Sequence, residues 1–81
     1  MTTRKTFTTV PDALTIYDSA IAYTKMLMVS REGMTMDVVV SNDDITITNR
    51  QALFQPGLGT IVFNNTFNPN ETINVIYETN P

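Results

Sequence analysis

The segment GTIVFNNTFNPNETINVIYE at residues 59–78 constrains the fold more than any other part of the chain. Two short runs within it carry apolar side chains at every second position, namely Ile61 and Phe63 in the first and Ile73, Val75 and Tyr77 in the second. A period of two is typical of a β-strand with one buried face. The intervening NNTFNPN is rich in Asn and Pro, which favour turns. The segment therefore predicts two strands joined as a β-hairpin.

A second hairpin is predicted around Gly33, which separates the apolar runs at residues 24–30 and 34–40. A two-residue loop would need a positive φ at Glu32, where Asn or Asp is preferred. A three-residue loop with Gly33 left-handed in a bulge fits these residue types better.

That loop sets the register of the second hairpin, with Met28 opposite Met36. Because side chains alternate between faces, Leu27 and Val29 are expected on the face opposite to Met26 and Met28. Both faces of this hairpin are then apolar. The second face is expected to need cover, either from the same chain or from another copy.

The remaining segments give weaker patterns. Residues 12–23 are predicted to be irregular with a possible short strand, and the alternating ITIT at 45–48 predicts another strand. Residues 49–59 are predicted to be a loop, in which Leu53 and Phe54 tuck under the sheet or protrude toward a partner. Counting the runs predicts an all-β fold, a small antiparallel β-sandwich or barrel of five or six short strands.

The N-terminal residues 1–11 are predicted to lie outside the domain formed by residues 12–81. Residues 1–10 contain five Thr, and Pro11 is expected to end any regular secondary structure before it. One reading is a frayed terminus. The other is an extended arm that orders against a neighbouring copy, with Phe7 and Val10 as its anchors.

Composition narrows the functional classes. The 81 residues suffice for one domain and include no Cys, His or Trp, which excludes disulfides and the usual zinc ligands. The net charge is −3 and the five basic residues are scattered, which argues against nucleic acid. No apolar run approaches the roughly 18 residues of a membrane span. No signal peptide is expected.

We expect no catalytic, cofactor or metal site. Asn42, Asp43 and Asp44 are typical of a turn and lack the spacing of a calcium loop. No carboxylate pair is placed in a cleft by the pattern, and no His is present to activate a Ser. Arg31 is expected to be a solvated surface cation.

Assembly is the expected source of additional stability, because small chains without disulfides or metals often gain it from neighbours. Many domains of this size nevertheless fold alone. The candidate assembly residues are the apolar side chains of the arm, the second hairpin face and the 49–59 loop, namely Phe7, Val10, Leu27, Val29, Leu53 and Phe54.

The closing pattern Gly59-x-Ile61-x-Phe63, then Glu71-x-Ile73-x-Val75-x-Tyr77, resembles the terminal hairpin of small β-sandwich virion proteins of tailed bacteriophages. These include capsid decoration or auxiliary proteins, head fibres and tail appendages. One departure is Asn70, where the family pattern often has Gly.

The resemblance implies a structural protein without catalytic residues, most simply a decoration protein on the capsid surface of the virion, assembled in the host cytoplasm. It implies a homo-oligomer, expected to be a trimer, that contacts other virion proteins such as the major capsid protein. The alternative is a glycan-binding β-sandwich module of a phage appendage. Its candidate sugar platforms are Tyr17, Tyr23 and Phe67, since sugar rings stack on exposed aromatic faces.

Overall fold

The computed structural model describes residues 1–79, and it is all-β. Seven strands lie in this range, together with a one-turn 3₁₀ helix at Ser19–Ile21. They are β1 (Thr2–Thr8), β2 (Thr15–Tyr17), β3 (Lys25–Arg31), β4 (Met34–Val40), β5 (Gln51–Gln55), β6 (Thr60–Phe63) and β7 (Thr72–Glu78). The all-β prediction is confirmed, with one or two more strands than expected. The described part of the chain holds no helix of the length and apolar character needed to cross a membrane.

The strands form one sheet in the order β1-β7-β3-β4-β5-β6-β2, which curls into a nearly closed barrel. Every neighbouring pair is antiparallel except β4 and β5, which are parallel. The sheet is therefore mixed: the predicted antiparallel pairing is present in five of its six neighbouring pairs, and β4–β5 is the exception. A parallel pair needs a returning connection, which residues 41–50 provide. The strand predicted at 45–48 does not form in that connection.

The two strands of the closing segment exist, but they are not neighbours. Over residues 60–78, β6 pairs with β5 and β2, whereas β7 pairs with β1 and β3. The predicted closing hairpin is therefore wrong, although both strand assignments are confirmed. The alternation of side chains identifies the buried face of a strand and carries no information about its partner. Residues 64–71 instead connect two well-separated strands of the barrel.

The N-terminal segment is part of the sheet. β1 pairs with β7 along its whole length, from Thr2 opposite Glu78 to Thr8 opposite Thr72. Phe7 lies opposite Ile73 and packs against the core. Residues Thr2–Thr8 of the extended arm predicted at 1–11 thus form an edge strand of the chain's own barrel.

The β3–β4 hairpin closes through a two-residue loop. Glu32 and Gly33 have φ values of 50° and 81°, and Arg31 lies opposite Met34. The three-residue loop and the register built on it are therefore wrong. The positive φ of Glu32 is accompanied by hydrogen bonds to β7, since its N–H donates to the Thr72 carbonyl at 3.0 Å and its carboxylate accepts from the Thr72 N–H.

A β-bulge in β3 changes which side chains face the core. The register with β7 shifts between Met26 and Met28, so Leu27 is the extra residue. Met26 and Val29 are both buried in the main core, while Leu27 is exposed. The expectation that Val29 shares a face with Leu27, opposite Met26, is therefore wrong, because a bulge resets the alternation.

The core is formed by inward-facing residues from most of the strands. Its largest fully buried side chains are Phe54, Phe63, Phe67, Ile21, Ile61, Ile73, Val29 and Val75. β5 was predicted to be a loop and is a strand with four consecutive buried residues, Ala52 to Gln55. Strands that are covered on both faces show continuous burial in place of alternation. Leu53 lies on the opposite face of β5 from the main core, paired in register with Val39 and Val62.

Candidate assembly interface

The barrel remains open between its two edge strands, and we call this gap the seam. In the described chain β1 pairs only with β7, and β2 only with β6. The strand directions around the sheet make β1 and β2 antiparallel across the seam. A side-chain ion pair, from Lys5 Nζ to Asp18 Oδ2, bridges it. The seam is therefore closed by side chains where a full barrel would have a backbone ladder.

Lys5 is on the inward side of β1, opposite Val75 of β7. Its ammonium lies 5.5 Å from the centre of the Phe7 ring, within range of a cation–π contact. The hydrogen bond to Asp18 raises the pKa of Lys5, and desolvation opposes this change. The seam thus contains a partly exposed charged group beside an aromatic ring.

Asp18 has a second role at the end of β2. Its Oδ1 accepts a hydrogen bond from the Ala20 N–H at 2.8 Å and so caps the 3₁₀ helix. The hydrogen bond from Lys5, followed by that from Ala20, lowers the pKa of this carboxyl. The Asp18 backbone also lies close to Gly59, where a Cβ would approach the Asp18 carbonyl to 2.7 Å. Gly59 has a φ of 69°, so both conformation and space favour glycine there.

The seam forms a cleft of about 170 Å³. It is lined by both edge strands and the connection between them, namely Phe7, Thr8, Val10, Thr15, Ile16 and Tyr17. At its rim the side chains of Val10 and Tyr17 are 69% and 67% exposed. Two strand edges and exposed apolar side chains therefore lie together.

A second polar cluster holds residues 64–71, the connection between β6 and β7. Arg31 donates from Nε and Nη2 to the two carboxylate oxygens of Glu71, each at 2.9 Å. Its Nη1 and Nη2 also donate to the carbonyls of Asn65 and Thr66, both at 2.8 Å. The Arg31 and Glu71 side chains are only 13% and 11% exposed. The guanidinium therefore fixes the connection at several points.

Aromatic contacts and a backbone donor complete this cluster. The Arg31 guanidinium carbon lies 4.9 Å from the Phe67 ring centre and 5.6 Å from that of Phe63. The two rings are in edge-to-face contact with centres 5.3 Å apart. Glu71 also accepts from the Asn68 N–H, but the hydrogen bonds from Arg31 are the main cause of the lowered pKa of Glu71. The expectation that Arg31 is a solvated cation is wrong.

The structure separates the six predicted assembly residues into two groups. Val29, Leu53 and Phe54 are buried within the chain, so they cannot present an assembly surface in this fold. Val10 and Leu27 are exposed, and Phe7 is partly buried at the seam. Only Phe7 and Val10 of the six line the seam. The assembly role of Phe7, Val10 and Leu27 stays a prediction.

The three predicted sugar platforms also fall into two groups, one residue that is buried and two that are exposed. Phe67 is buried beneath Arg31 and cannot offer a ring face to a ligand. Tyr17 and Tyr23 are both exposed, on either side of the 3₁₀ helix. Tyr23 has a φ of 59°, and its N–H donates to the Pro56 carbonyl at 2.8 Å.

The residues that organise both clusters were missed from the sequence. Arg31 and Glu71 are separated by 40 positions, and Lys5 and Asp18 by 13. One signal in the sequence points to the position of Lys5. It lies two positions before Phe7, so in a strand both side chains are on the same face. Within residues 1–79, no group of three or more carboxylates is arranged to hold a metal ion.

No family of known proteins, no curated protein and no solved structure matches this chain.

Proposed function

We propose that this chain is a structural virion protein of a tailed bacteriophage, an auxiliary or decoration protein that acts through contacts between copies on the capsid. The observation that carries the proposal is the seam, where two free strand edges lie beside the exposed side chains of Val10 and Tyr17. The resemblance of residues 59–78 to virion β-modules supports it at the level of the strand pattern, since the two strands do not pair with each other.

Free edges favour association with other strands. The backbone donors and acceptors on the outer side of β1 and β2 have no ladder partner within residues 1–79, and such edges are ready templates for pairing. Apolar side chains beside the edges add area that is removed from water on contact. In this proposal the partners are further copies, as a trimer, and the major capsid protein, on the surface of shells assembled in the host cytoplasm.

The test combines solution mass with capsid binding. Light scattering after size exclusion, at several concentrations, is expected to give a trimer, and the chain is expected to bind saturably to capsid shells of the same phage. Val10→Asp is expected to weaken both, because it introduces a charge at the rim of the seam. The matched control is Met34→Asp, at an equally exposed apolar side chain in the β3–β4 hairpin. The proposal would be contradicted by a monomer that does not bind capsids. It would also be contradicted if the two variants changed solution mass and capsid binding equally.

The exposed tyrosines favour one second candidate, a glycan-binding module of a phage appendage. Tyr17 and Tyr23 are exposed and flank the same 3₁₀ helix in the sequence, and sugar rings stack on exposed aromatic faces. This function predicts polysaccharide binding by a monomer that Tyr23→Ala removes without a change in melting temperature. Binding retained by Tyr23→Ala and by Tyr17→Ala would exclude it.

A further inference from the structure

β1 is attached to the rest of the barrel along one edge only. In the described chain its backbone ladder is with β7, and across the seam it meets β2 through side chains, including the Lys5–Asp18 pair. Departure of β1 would therefore break a single ladder and leave the pairing among the other six strands intact. The inward side chains that would be lost from the core are those of one edge strand, chiefly Phe7.

The link that follows β1 has the properties of a strained hinge. Thr9 is anchored, since its N–H and hydroxyl both donate to the Glu71 carbonyl at 3.2 Å. Pro11 restricts Val10 to extended conformations. Asp12 then has a φ of 67°, a left-handed conformation that Asp adopts more readily than most residues but that still costs more than it would for Gly. The chain turns back toward β2 at this point, and strained short hinges of this kind favour exchange of the element they carry.

We propose that β1 is exchanged between copies, so that Thr2–Thr8 of one chain lies on β7 of a second copy in the register seen within one chain. A second copy is the occupant because its β7 matches β1 over seven residue pairs. The match includes Phe7 opposite Ile73 and the hydrogen bond from the Thr6 hydroxyl to Asn74 Oδ1 at 2.7 Å.

Cyclic exchange, in which each copy of the trimer gives its β1 to the next, preserves nearly every contact. Lys5 would meet Asp18 of the second copy, and Thr9 would meet its Glu71, because both donors move with β1. The principal difference is the hinge, which extends at Val10–Pro11, loses the hydrogen bond from the Ala13 N–H to the Val10 carbonyl and releases the left-handed conformation of Asp12. This inference rests on the proposed assembly function and specifies how the copies are joined.

The test uses a disulfide that only exchange can form between chains. Thr6 and Asn74 are paired across β1 and β7, so their Cα atoms lie within the range that a disulfide bridges. The chain has no cysteine of its own. A Thr6→Cys chain and an Asn74→Cys chain carrying a size tag are mixed, unfolded in urea, refolded together at high concentration and equilibrated in a glutathione buffer. The control mixture pairs Thr6→Cys with Asn49→Cys, another exposed site.

The expected result is a disulfide-linked pair of unlike chains, several-fold more abundant in the Thr6/Asn74 mixture than in the control. Asp12→Gly, which accepts the left-handed hinge, is expected to reduce its yield. An unlike pair no more abundant than in the control, while a single chain with both cysteines forms its internal disulfide, would overturn the exchange. Capsid binding that persists in this internally locked chain would overturn exchange as the mode of assembly and leave the proposed function standing.

Discussion

Arg31 and Glu71 are joined by a two-pronged ion pair across 40 residues, between the end of β3 and the start of β7. The same guanidinium donates to two carbonyls of the 64–71 connection and covers the Phe67 ring. One side chain therefore ties a long connection to the end of the barrel, and its charge is compensated by a single carboxylate that is itself largely buried.

Glu71→Gln is expected to destabilise the fold by about 2–3 kcal/mol, because it leaves the Arg31 charge in a partly desolvated position. The measurement is the urea midpoint at pH 7 with an unchanged denaturant slope. Glu78→Gln, at an exposed carboxylate of the same strand, is the control and is expected to change stability by less than about 0.5 kcal/mol. Equal midpoints for the two variants would contradict this account of the cluster.

Acid is expected to weaken the fold through the same carboxyl. The pKa of Glu71 in the folded chain lies below its ordinary value of 4.5, chiefly because of the hydrogen bonds from Arg31. A depressed folded-state pKa gives stability that is complete above the unfolded pKa and is lost as the pH falls through the folded pKa. Urea midpoints measured from pH 6 downward should therefore fall below about pH 4.5, and the fall should be shallower in Glu71→Gln. The same slope in both chains would show that other groups dominate.

Lys5→Met is expected to loosen the seam while leaving global stability nearly unchanged. It keeps a long apolar stem and removes the charge that meets Asp18, and a solvent-accessible ion pair contributes little to global stability. Hydrogen exchange of the β1 amides should become faster, by several-fold at most. Arg4→Met, on the outward side of the same strand, serves as the comparison. Similar exchange rates in both variants would mean that the ion pair does not hold the seam.

Gly33→Ala is expected to destabilise the fold by about 1–2 kcal/mol, the cost of a left-handed conformation for a residue with a Cβ. Gly33 has a φ of 81°, and a Cβ there would meet nothing within 4 Å, so the cost is conformational and not steric. Gly33→Asn is the control, because Asn tolerates this conformation, and its cost should be clearly smaller. Thermal unfolding measures both. A larger cost for Asn would contradict the two-residue turn.

The bulge in β3 predicts opposite outcomes for two neighbouring aliphatic side chains. Val29→Ala should cost about 2 kcal/mol, since it removes two methyl groups from a fully buried site. Leu27→Ala should cost less than about 0.5 kcal/mol because Leu27 is exposed. Urea unfolding of the two variants checks the pair. A larger loss for Leu27→Ala would mean that the strand alternates without a bulge.

The sequence predicts strands well where one face of the strand is buried and the other is exposed to solvent. Ile73, Val75 and Tyr77 are at alternate positions and all face the core. The same logic fails for Leu53 and Phe54, because both faces of β5 are covered and no alternation remains. Alternation also wrongly predicts that Leu27 and Val29 share a face, because the sequence does not indicate the extra residue at the bulge.

The sequence also does not predict which strands are neighbours in the sheet. A period of two shows that residues 60–63 and 72–78 are strands, yet nothing in it indicates that they have different neighbours. The Lys5–Asp18 and Arg31–Glu71 pairs depend on that long-range arrangement, so they emerge only with the sheet order. The sequence predicts the apolar character of Phe7 and Val10. It does not predict that these residues lie in a seam between two edge strands.

The place of β7 between β1 and β3 has a consequence for synthesis on the ribosome. β1 is made first and pairs only with β7, whose last residue, Glu78, is added 70 positions after Thr8 ends β1. β3 likewise awaits β7 for its second neighbour. Two of the six strand pairings, β1–β7 and β3–β7, therefore cannot form until β7 has been made. The nascent chain carries an unpaired β1 until β7 has been made, and in a polysome several such strands are close to one another at the moment when the first complete β7 appears.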